Sequence, residues 1–125
     1  MKAVDFSTVK GRAMKKAQVI DFLKGYKRAL IDEQRIYKLL EQITEEKGKE
    51  SLVEELRKKL GVLELKKGKI VRVIDNCPEA YCRLILTDHY VCGRTFEAIA
   101  EDVNFSVRHV CRLHDKAIAM ITKKI

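Results

Sequence analysis

The sequence predicts an all-α protein: a long antiparallel helical hairpin followed by a C-terminal three-helix helix-turn-helix domain. Three observations lead there. Apolar residues recur at three- and four-residue spacing along most of the chain, which holds one Pro and no Trp. Two of these stripes flank a short polar link around Gly48. The stretch Arg94–Leu113, RTFEAIAEDVNFSVRHVCRL, then places caps, a turn residue and an apolar wedge at the offsets of a helix-turn-helix.

At 125 residues the chain is one domain, or one small domain with an extension. We divide it into a basic arm over 1–14, a helical hairpin over 15–76 that also offers a dimerisation surface, and a DNA-binding domain over 77–125. No apolar run approaches the ~20 residues that span a bilayer, and the N-terminus lacks the apolar core of a signal peptide. A cytoplasmic location and no membrane partner are expected by default. The net charge is +8. Residues 1–28 hold eight Lys or Arg against two Asp, a local +6, whereas 29–60 hold seven basic and eight acidic residues. This basic start reads either as an arm following a phosphate backbone or minor groove, or as a solubilising tail.

The first long helix is readable in Val19, Phe22, Tyr26, Ala29, Ile36, Leu40 and Ile43. With Glu33 filling its gap, the series from Phe22 steps alternately by four and three. The second runs through Val53, Leu56, Leu60, Leu63, Lys67, Ile70 and Ile74 in the same alternation. Gly48 ends one helix, and Ser51-Leu52-Val53-Glu54 reads as a capping box for the next. So short a link makes the two antiparallel neighbours. Setting Leu40 against Leu60 brings Ile43 to Leu56, Ile36 to Leu63 and Ala29 to Ile70. The two charged seam residues, Glu33 and Lys67, then fall opposite each other, where pairing makes them tolerable and fixes register. The same stripes serve equally for pairing two copies of the chain, so a homodimer stays open. Gly61 and Gly68 lie inside the second helix and weaken it by roughly 1 kcal/mol each relative to Ala, with a kink or fraying expected near Gly68.

Asp75, Asn76 and Pro78 break that helix, and Pro suits the first turn of another. The new helix is expected to present Tyr81, Leu84, Ile85 and Val91 and to end at Gly93. Thr95 then sits as the N-cap of a short helix whose Phe96, Ile99, Ala100 and Val103 share a face. Asn104 stands where the chain must leave in a left-handed conformation, and Ser106 caps the following helix. Val110, Leu113, Ala117, Ile118 and Ile121 form that helix's inner face, with Val110 wedged in the angle that small Ala100 permits.

The four cysteines, Cys77, Cys82, Cys92 and Cys111, have gaps of 5, 10 and 19 and no C-x-x-C pair. Cys92 and Cys111 read as small apolar packers beside helical faces. His89, His109 and His114 do not complete a metal set, with His109 expected exposed and His114 partly covered. Neither metal nor cofactor is expected. No carboxylate pair, nucleophile–base set or Gly-rich phosphate loop appears, so the expected chemistry is binding rather than catalysis.

The C-terminal third, LILTDHYVCGRTFEAIAEDVNFSVRHVCRLHDKAIAMI, resembles small phage and prophage regulators of the ArpU and RinA type, which carry a helix-turn-helix like that of the last sigma-factor region. His89-Tyr90-Val91-Cys92-Gly93 stands where that family has its "RY-x-x-G" turn. Phe96-Glu97-Ala98-Ile99-Ala100 stands at its "W-x-E-I-A" helix, and the run Phe105 to His114 at its "Y-S-x-x-T-V-x-R-L-H". His89 for Arg and His109 for Thr depart from the pattern, so sequence preference does not transfer. The resemblance covers about the last 45 residues. It implies a transcriptional regulator of phage or prophage genes that binds double-stranded DNA, and it implies contact with RNA polymerase.

With Val110, Leu113 and Ala117 turned inward, Val107, Arg108, His109 and Arg112 are the candidate base readers of the major groove. Arg94, Thr95, Ser106 and Lys116 are the candidate phosphate contacts. The alternative function is an adaptor that docks on RNA polymerase or another helical partner.

Overall fold

The computed structural model describes residues 15–43 and 48–124. The basic segment 1–14 therefore lies outside the described residues. The chain is all-α: α1 covers Lys16–Ile43, α2 Glu50–Asp75, α3 Ala80–Leu86, α4 Phe96–Val103 and α5 Val107–Lys124. A π-helical turn, Thr87–Val91, continues α3.

α1 and α2 form the expected antiparallel hairpin. Lys67 Nζ lies 2.8 Å from Glu33 Oε1, with the two side chains only 15% and 8% exposed, so the register set by their opposition in the two seams is the observed one. Lys67 is further held by Glu64 at 3.2 Å and lies 5.9 Å from the centre of the Tyr26 ring. Burial of a charge is tolerable here because opposite charges surround it.

Three local expectations are corrected. The capping box at Ser51–Glu54 does not form. Gly48, at φ +87°, turns the chain so that the helix starts at Glu50, leaving Ser51 inside its first turn. Lys49 is the N-cap and uses only its carbonyl, which accepts from the Val53 amide at 3.0 Å. Second, α2 runs unbroken through Gly61 and Gly68, because packing along α1 outweighs the small propensity loss. Third, Pro78 precedes α3 rather than opening it, and the buried face of α3 is Cys82, Ile85 and Leu86, followed by Tyr90. Tyr81 and Leu84 are exposed at 53% and 39%. The wider π turn, closed by the Cys92 amide on the Thr87 carbonyl at 3.0 Å, keeps Tyr90 on the side of Leu86.

The main core joins both halves of the chain. Val19 and Leu23 of α1, Ile70 and Ile74 of α2, Leu86 of α3 and Ala117, Ile118 and Ile121 of α5 pack in one buried cluster. Leu23, which stands one residue off the predicted stripe, is wholly buried. Cys77 and Cys82 also belong to this core, whereas Cys92 is exposed beyond the π turn and Cys111 is half-buried. The Cys82 thiol lies 3.6 Å from the Leu113 carbonyl, and burial pushes its pKa up to about 11, which keeps it a thiol. Arg83 donates to the Cys77 carbonyl at 2.7 Å and secures the link out of α2. Among the described residues no helix is long and apolar enough to cross a membrane.

Candidate nucleic-acid interface

α4 and α5 meet as the sequence predicts, through four local devices. The Thr95 hydroxyl accepts from the Ala98 amide at 3.1 Å and starts α4. Asn104, at φ 60° and ψ 41°, is the left-handed exit residue. The Ser106 hydroxyl accepts from the His109 amide at 3.1 Å and starts α5. Ala100 and Val110 then pack with Ile85 and Ile99 in a second buried cluster that sets the angle between the helices.

The back of α5 is anchored by a ring cluster. His89 stacks on Phe96 with centroids 4.2 Å apart, and Phe96 meets the edge of His114 at 5.1 Å. The Tyr90 hydroxyl is 2.7 Å from His114 Nε2, while His114 Nδ1 is 3.4 Å from an Asp115 carboxylate oxygen. With Nδ1–H directed at Asp115, Nε2 accepts the Tyr90 proton, the arrangement of a neutral imidazole. Desolvation lowers the His114 pKa, and burial raises that of Tyr90 to about 12. His89 Nδ1 also lies 2.8 Å from the Arg94 carbonyl, and Gly93 takes φ +71° to make that turn.

The outward side of α5 presents Val107, Arg108 and Arg112, all exposed. Among the described residues neither Arg108 nor Arg112 makes an ion pair or side-chain hydrogen bond. Their separation of four residues puts both guanidiniums on one stripe, about one turn apart. His109 is half-buried rather than exposed, because its ring leans edge-on against Phe105 at 4.7 Å. Phe105 in turn packs on Tyr81 at 5.2 Å, which gives that exposed tyrosine a role missed in the sequence.

The candidate phosphate residues divide into two kinds. Thr95 and Ser106 are exposed caps at the two helix N-termini. Arg94 and Lys116 are internally paired instead. Arg94 clamps Asp102 and reaches Asp88 at 3.5 Å, and both contacts raise its pKa. Lys116 Nζ sits 2.6 Å from Glu79 Oε1, which raises the lysine pKa and lowers that of Glu79. Either cation meets a phosphate only by sharing or leaving its carboxylate. The partner of Lys116 was hidden in the sequence because Glu79 lies 37 residues away, at the N-cap of α3. Comparison with known protein families, curated proteins and solved structures gave no match to this chain.

Proposed function

We propose that this protein is a sequence-specific, double-stranded-DNA-binding transcriptional regulator, of phage or prophage genes, that reads the major groove with α5. The observation that carries this reading is the pair Arg108 and Arg112. Two guanidiniums stand on the outer stripe of a capped helix with no acidic partner among the described residues, whereas Arg94 and Lys116 on the flanks of the motif are paired with carboxylates. A guanidinium so placed is free to donate two parallel hydrogen bonds to guanine. Val107, 39% exposed, offers a methyl contact to thymine, and His109 borders the same surface. Thr95 and Ser106 hold the backbone on either side.

A single helix-turn-helix covers little DNA, so useful specificity calls for a second copy on a paired half-site or for a partner such as RNA polymerase. Selecting bound duplexes from a random pool tests the reading. The expected result is a short enriched motif, with a repeat about one helical turn away if two copies bind. Recovery of no motif at low salt rejects sequence-specific binding. The adaptor reading draws on Val62 and Leu65 of α2, exposed at 54% and 64%. Affinity for DNA falls by orders of magnitude with added salt, whereas docking through such apolar side chains does not.

A further inference from the structure

We propose that a groove between α1 and the turn leading into α4 is a second phosphate-binding surface, which holds the sugar–phosphate backbone of the duplex that α5 reads. It rests on the DNA-binding reading above and extends the interface onto the hairpin. The groove has a volume of about 710 Å³. Lys24, Lys27 and Arg28 of α1 line one side, and His89, Arg94 and Thr95 line the other. Four of its lining residues are Lys or Arg, and none is acidic. Arg28 and Arg94 are tethered to Asp21 and Asp102, whereas Lys24 and Lys27 are exposed and form no ion pair among the described residues. A surface of this kind attracts a polyanion.

The position of the groove selects which polyanion. Thr95 caps α4, so the groove opens on the helix that crosses the DNA backbone when the following helix lies in the major groove. The first-turn amides of α4 add their partial positive charge at the same edge. Lys24 and Lys27, three residues apart on α1, line the same groove as Thr95 and supply the two of its charges that are unpaired among the described residues. Leu30 and Ile31, also lining it, give deoxyribose an apolar surface.

Binding of the full chain to a 40-base-pair duplex, about four helical turns long, followed by fluorescence anisotropy across a salt series, tests the proposal. Replacing Lys24 and Lys27 together by Ala should flatten the slope of log affinity against log salt by about 1.8, two phosphates' worth of released counterions. Between about 50 and 200 mM salt that is roughly a 12-fold smaller loss of affinity than the unmodified chain suffers. Circular dichroism should be unchanged, since both lysines are exposed. Cys92 also lines the groove, so its alkylation by N-ethylmaleimide, followed by peptide mapping, should slow when the duplex is bound. An unchanged slope, or undiminished Cys92 alkylation at saturating duplex, overturns the groove while leaving recognition by α5 standing. Binding of a polyglutamate peptide that needs Lys24 and Lys27, beside an unchanged DNA slope, reassigns the groove to an acidic protein segment. If the unmodified chain binds no duplex at low salt, the DNA-binding reading fails and the groove proposal with it.

Discussion

At the scale of single residues, the helix-turn-helix depends on side chains whose effects are local, and those were legible in the sequence. Thr95, Asn104 and Ser106 each act on backbone within three residues, so spacing alone located them. Asn104 makes the sharpest case. At φ 60° a side chain with a Cβ is strained by about 1–2 kcal/mol unless, like Asn, it tolerates the left-handed region. Asn104→Ala should therefore lower unfolding stability by about 1 kcal/mol, and Asn104→Gly should stay within about 0.5 kcal/mol of the parent. Equal melting temperatures for the Ala and parent chains would show that the turn relaxes. Arg108→Ala probes function instead of folding. As a base reader, Arg108 should contribute about 1–3 kcal/mol at one base position, with stability untouched. A uniform loss across all sequences would make it a phosphate contact.

At the scale of elements, the hairpin was legible because its two charged seam residues could be matched across a short link. Glu33 and Lys67 fix the register by making every slipped alignment bury an unpaired charge. Truncating Glu33 to Ala leaves Lys67 with the exposed Glu64 as its remaining carboxylate, and should destabilise the chain by about 1.5–3 kcal/mol. Replacing both Glu33 and Lys67 by Leu should restore most of that loss, since a well-packed apolar pair of similar volume matches or exceeds a buried ion pair. Chemical denaturation of Glu33→Leu, Lys67→Leu and the double Leu variant gives the coupling directly. Additive losses would mean the two charges act independently. The third helix was misread for a contrasting reason. A π turn is selected by what packs around it, here Leu86 and Tyr90 against α5 and α1, and periodicity in one strand of sequence holds no record of that. The same limit hid the partners of Arg94 and Lys116, and the groove that only the docking of α1 beside residues 89–95 creates.

At the scale of the whole molecule, α5 meets the π turn and α4 through one buried imidazole, beside the apolar core it shares with α1 and α2. His114 is 8% exposed and faces Tyr90 from the π turn, Phe96 from α4, His89 at 6.1 Å and Asp115 on its own helix, with Lys16 of α1 adding a repulsive charge. Burial lowers its pKa below the usual 6.5, and Asp115 offsets this only in part. The unfolded chain therefore takes up the proton at higher pH than the folded chain does. Stability is full above about pH 6.5 and declines as pH falls from there toward the lower folded value. One such group changes stability by at most about 1.36 kcal/mol per pH unit. Because protonation also puts a hydrogen on Nε2 against the Tyr90 hydroxyl, acidification should loosen the seat of α5 as well. In His114→Gln the amide keeps a polar partner for Tyr90 but does not titrate. Urea unfolding of both chains at pH 7.5 and 5.5, about one unit either side of the ordinary imidazole value, separates His114 from His89, His109 and the carboxylates. The parent should lose more stability than the variant over that interval. Parallel losses in the two chains would place the acid sensitivity elsewhere and leave His114 as a packing residue.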